Sequence, residues 1–78
     1  MKVPDYKHPE SRAMFELIRS MPSGSYFNLR ELETRGARSP RWGHVVVDAL
    51  GAGLIRHAFV VRYVGRERNR ELVMWCRL

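Results

Sequence analysis

The stretch Gly36-Ala37-Arg38-Ser39-Pro40-Arg41-Trp42-Gly43-His44-Val45-Val46-Val47-Asp48-Ala49-Leu50-Gly51-Ala52-Gly53-Leu54-Ile55 decides how the chain is read. Ser39 is a good helix cap, and Pro40 behind it would occupy a first helical position, where proline's missing N–H costs nothing. Trp42, Val46, Ala49 and Leu50 then fall on one side at helical spacing. Gly51 and Gly53 mark the end. The run Val45-Val46-Val47 is β-branched and a mediocre helix former, so propensity alone would suggest a strand. The signals at both ends decide for a helix beginning at Ser39.

Toward the N-terminus, Met14, Leu17, Ile18 and Met21 recur at i, i+3, i+4 and i+7, behind Pro9-Glu10 and ahead of Pro22. This is an amphipathic helix. Pro22-Ser23-Gly24-Ser25 is turn chemistry, and Tyr26-Phe27 is long enough only for a minimal strand. Asn28 caps a short second helix, with Glu31 placed to reach back as in a capping box. Leu29 and Leu32 give that helix an apolar side, and Gly36 stops it in a left-handed turn. Residues 1–8 form a polar arm, ordered only if something holds it down; residues 9–78 form the domain.

Toward the C-terminus the period changes to two. Phe59, Val61 and Tyr63 alternate, then Leu72, Met74, Cys76 and Leu78, as two antiparallel strands. The connector Gly65-Arg66-Glu67-Arg68-Asn69-Arg70 carries three Arg in six residues. Cys76 has the pattern of a buried structural thiol. Trp75, with Val73 on the opposite face, either offers an exposed aromatic to a protein partner or packs under the N-terminal arm.

The 78 residues suffice for one small domain, and 45% of them are apolar, which argues for a folded core. A lone Cys excludes an internal disulfide, and no Cys/His spacing suits structural zinc. No apolar run is long enough to span a bilayer, and the N-terminal apolar stretch is too short for a signal peptide, so a cytoplasmic location is expected. Net charge is +6, with 12 of the 14 basic residues Arg. That balance attracts polyanions. Arg suits phosphate and guanine edges better than Lys, although GC-rich coding sequence produces the same bias.

The order helix, short strand, helix, helix, two-stranded hairpin resembles the winged helix-turn-helix family over residues 9–78. Leu32, Gly36, Ala37 and Gly53-Leu54-Ile55 stand where that family carries an apolar residue, a turn glycine, a small residue and a Gly-Leu-Ile closing the third helix. Its recognition-helix core positions map onto Trp42, Val46 and Ala49, with Ala49 in place of the usual Leu and Trp42 in place of a smaller residue. Trp42 either fills the volume lost at Ala49 or points outward. The resemblance implies an α+β winged helix binding double-stranded DNA, as a small bacterial or phage transcriptional regulator: the third helix in the major groove, the Arg66–Arg70 wing on the flanking backbone or minor groove.

The binding residues this implies are Arg38, Ser39, Arg41, Gly43, His44, Arg66, Arg68 and Arg70. Arg38 and Arg41 flank a helix start whose amides also favour phosphate. His44 can donate to phosphate or guanine, and Gly43 leaves room for close approach. Val45 and Val47 add thymine-methyl contacts, whereas an outward Asp48 counts against DNA. Arg56, Arg62 and Arg77 either extend the basic strip or keep the strands soluble. Each of these residues also has a plain reading as solvated surface.

No nucleophile elbow, phosphate loop or paired-carboxylate site is visible, and His8, His44 and His57 are far apart in sequence, so no enzyme, cofactor or metal is expected. Two other functions fit the same residues. One is a protein-interaction module on this scaffold, such as a phage inhibitor of a host complex; the other is RNA or ribosome binding. Both a monomer and a weak homodimer are compatible with the chain.

Overall fold

The computed structural model describes residues 3–66 and 69–78. It contains α1 (Pro9–Ser20), β1 (Tyr26–Phe27), α2 (Leu29–Thr34), α3 (Trp42–Gly51), β2 (Ile55–Val64) and β3 (Asn69–Arg77). Three helices thus accompany a three-stranded antiparallel sheet in the order β1-β3-β2. The two-residue β1 is held by pairing with β3, Tyr26 opposite Cys76 and Phe27 opposite Trp75.

Both short helices end in the same way. At the end of α2 the Gly36 amide donates to the Glu33 carbonyl (3.0 Å) and the Ala37 amide to that of Leu32 (2.9 Å), with Gly36 at φ 91°. At the end of α3 the Gly53 amide donates to Leu50 (3.1 Å) and the Leu54 amide to Ala49 (3.0 Å), with Gly53 at φ 71°. These are Schellman turns, in which a left-handed residue satisfies the last orphan carbonyls. The buried residues that follow, Ala37 and Leu54, are thereby turned into the core.

The start of α2 follows the capping rule, the Glu31 amide donating to Asn28 Oδ1 at 2.8 Å. The start of α3 does not follow its expectation. The helix begins at Trp42, with Arg41 as its cap, rather than at Ser39. Ser39 is buried, its hydroxyl 3.2 Å from that of Ser11 on α1, and it accepts the Arg41 amide at 3.1 Å. A buried hydroxyl needs partners; here they fix a turn ahead of the helix and tie its entry to α1.

The buried stripe of α3 is also rotated from expectation: Val45, Val46 and Ala49 face the core, while Trp42 (45% exposed) and Leu50 (39%) face outward. Val45 packs in one core with Met14, Phe15 and Ile18 of α1.

In the sheet, a bulge at Ala58 shifts the register from His57↔Trp75 to Phe59↔Met74. Directly opposed residues share a face. Ile55, Phe27 and Trp75 therefore lie on the inner face, where Trp75 packs on the core with the His57 ring edge-on at 5.6 Å. Tyr26, Phe59, Val61, Tyr63, Leu72 and Met74 lie on the outer face. Cys76 is a buried thiol in the central strand, as expected, but its alternating partners Leu72 and Met74 lie on the outer face and Leu78 is exposed. Trp75 is only partly buried, yet it belongs to the inner side; it is the Phe59–Met74 side that looks outward.

The arm is held down along residues 3–8. Val3 and Tyr6 pack against the core, the Tyr6 ring 6.0 Å from that of Phe15 and its hydroxyl donating to Asp48 Oδ2 at 2.7 Å. The ten-residue β2 carries the hairpin beyond this body. The radius of gyration is 13.1 Å and the long axis 44 Å, against about 11.5 Å expected for a rounded chain of this length.

Candidate nucleic-acid interface

Burying Val45, Val46 and Ala49 leaves the opposite side of α3 to solvent, and the exposed residues at its start are Arg41, Trp42, Gly43 and His44. Arg38 precedes them with its side chain 81% exposed; its contact with Glu33 at 3.7 Å is a surface pair of little energetic consequence. Among the described residues Arg41 has no ion-pair partner. A side chain built at Gly43 would meet nothing within 4 Å, so that part of the helix is open to close approach. Ser39, in contrast, turns inward and offers its hydroxyl to Ser11 and Arg41 rather than to solvent.

Two expectations about the α3 surface are corrected. Val45 is fully buried and unavailable to a thymine methyl, whereas Val47 is 65% exposed. Asp48 does not stand alone on the surface: the Tyr6 hydroxyl donates to it, and a shallow cleft of about 180 Å³ there is lined by Tyr6, Lys7, His8, Arg41, His44 and Asp48. Burial first, then the hydrogen bond to Asp48 and its negative charge, push the Tyr6 phenol pKa up, so the phenol stays protonated and keeps donating.

At the far end of the hairpin Arg66 and Arg70 are exposed, Arg70 opposite Tyr63 in the ladder. Arg68 lies outside the described residues. The other strand arginines separate by role. Arg62 pairs with Glu71 directly across the ladder (3.2 Å), and Arg77 turns inward, donating to the carbonyls of Leu54 (3.3 Å) and Arg19 (3.2 Å). Arg77 is thus a strut between sheet and α1 rather than part of a basic strip.

Two features escaped the sequence reading. Trp42 and residues 71–73 of β3 line one largely apolar groove of about 380 Å³ with Leu29 and Trp75, so the start of α3 and the hairpin adjoin the same hollow. Arg30, on the exposed side of α2, lines a second hollow with Tyr63, Arg70 and Leu72. An arginine in the first turn of a capped, half-exposed helix was the only signal, and its neighbours come from 33 or more residues away. Among the described residues no three His, Cys, Asp or Glu side chains gather as metal donors, and no helix is long and apolar enough to cross a membrane. Compared with protein-family models, curated proteins and solved structures, the chain matches none of them.

Proposed function

We propose that the chain is a winged helix-turn-helix protein that binds double-stranded DNA, a small bacterial or phage transcriptional regulator, with α3 in the major groove and the hairpin as the wing. The observation that carries this reading is the solvent-facing start of α3, where Arg38, Arg41 and His44 are exposed and Gly43 is unobstructed. The β1-β3-β2 order and the tight Schellman link between α2 and α3 are consistent with the scaffold. Arg66 and Arg70 at the hairpin end supply phosphate or minor-groove contacts.

Contact with about four to six phosphates gives a slope of log affinity against log salt of about −4 to −5 on random-sequence duplex. Arg38→Ala/Arg41→Ala should weaken binding and flatten that slope by about 2, and Arg66→Ala/Arg70→Ala should do the same. Duplex binding that is absent at low salt, or indifferent to both variants, would sink the reading. It would favour the protein-interaction alternative, for which the exposed Trp42, Val47 and Leu50 on α3 speak.

A further inference from the structure

Apart from Arg70, which also serves the hairpin end, the outer face of the sheet is left unused by the duplex reading. The ladder register places Tyr26, Arg56, Phe59, Val61, Tyr63, Arg70, Leu72 and Met74 on it. Tyr26, Phe59 and Tyr63 are 52%, 46% and 54% exposed, so about half of each residue is open to solvent. The rings of Tyr26 and Phe59 meet across the central strand, centroids 5.6 Å apart and tilted 52°. Tyr63 continues the row about 13 Å along β2 from Phe59, four residues at the strand rise.

The charge of this face has one sign. Its ionisable strand residues other than tyrosine and the buried Cys76 are Arg56 and Arg70, and Arg30 of α2 joins Tyr63 and Arg70 around the adjoining hollow. The nearest acids, Glu71, paired with Arg62 on the opposite face, and Glu33 of α2, line the neighbouring groove, which Arg30 also borders. Rings interleaved with arginine suit an extended polyanion whose bases are free to stack, because every base has a π-face while the phosphates need cations. Duplex DNA cannot use such a surface, its bases being stacked already. The strand residues of this face carry no carboxylate or carboxamide for a ribose 2′-hydroxyl, the group by which proteins select RNA, and offer it only the phenol hydroxyls of Tyr26 and Tyr63.

We propose that the outer sheet face binds single-stranded DNA, bases stacking on Tyr26, Phe59 and Tyr63 and phosphates meeting Arg30, Arg56 and Arg70. This site is separate from the α3 surface and stands or falls independently of it.

The test is fluorescence anisotropy of a labelled eight-nucleotide oligo-dT, beside a random duplex, with the full chain. Tyr63→Leu keeps the apolar bulk and removes the π-face; it should weaken oligo-dT binding about tenfold. Tyr26→Leu/Phe59→Leu/Tyr63→Leu, checked for folding by circular dichroism, should weaken it at least about a hundredfold, with duplex affinity unchanged within about twofold. Arg38→Ala/Arg41→Ala should leave oligo-dT binding intact. If the triple variant does not fold, Tyr63→Leu decides alone. The proposal is overturned if the wild type fails to bind oligo-dT, if Tyr63→Leu binds it as well as wild type, or if oligo-rU binds more tightly. It is equally overturned if sedimentation finds a wild-type dimer that Tyr63→Leu dissociates, since the face would then belong to a second copy. Binding of oligo-dT without binding of duplex would support this site and refute the α3 reading.

Discussion

Gly53 closes α3 at a backbone angle that a side chain resists, while Gly43 near the start of the same helix has an ordinary one. Neither has a neighbour in the way of a Cβ, so the two alanine substitutions differ by backbone preference alone. Gly53→Ala should lower stability by about 1–2 kcal/mol in denaturant titration. Gly43→Ala should raise it by about 0.5 kcal/mol and yet weaken duplex binding, if close approach of α3 to DNA is what the glycine permits. Tyr6 makes a second residue-scale case. Its phenol holds its proton more tightly in the folded chain than the usual value near 10. Stability from this group is therefore complete below about pH 10 and lost as the pH rises through the raised folded value. The melting temperature of the wild type should fall more steeply between pH 9.5 and 11.5 than that of Tyr6→Phe; parallel curves would show that the bond to Asp48 carries no such linkage.

At the scale of elements, α3 shows how a run of identical residues is divided by tertiary contact. Val45 is fully buried, Val46 nearly so, and Val47 mostly exposed. Val45→Ala removes two methyl groups from a packed interior and should destabilise by about 2 kcal/mol. Val47→Ala should change stability by no more than about 0.5 kcal/mol. Chemical denaturation of the two variants side by side checks the rotation of the helix directly: equal costs would mean that the buried stripe runs elsewhere. The hairpin shows the same division. Its alternation was plain in the sequence, but alternation has two phases, and the aromatic-rich phase Phe59, Tyr63 would by composition alone be placed inside. Phe27, paired opposite Trp75, sets the other phase, because the inner face must meet the helices where β1 joins β3.

For the molecule as a whole, a charge of +6 on 78 residues is a standing cost to compactness, relieved by screening or by a polyanion. The melting temperature at pH 7 should therefore rise between about 20 and 300 mM salt in calorimetry, and no rise would mean that the arginines lie too far apart to repel one another measurably. The three helices, the hairpin and both glycine turns were determined by the sequence itself, since caps, turn residues and periodicity act within a few residues of chain. So was the exposure of Arg38 and Arg41, because charged groups stay with water. Only the tertiary structure decided that Ser39 turns inward to Ser11, that Val45 rather than Trp42 fills the core, that Tyr6 closes on Asp48 and that the aromatic face of the sheet looks outward. Each of these depends on residues 28 to 48 positions apart meeting in space, and local patterns leave the rotation of a helix and the phase of a strand open until such partners arrive.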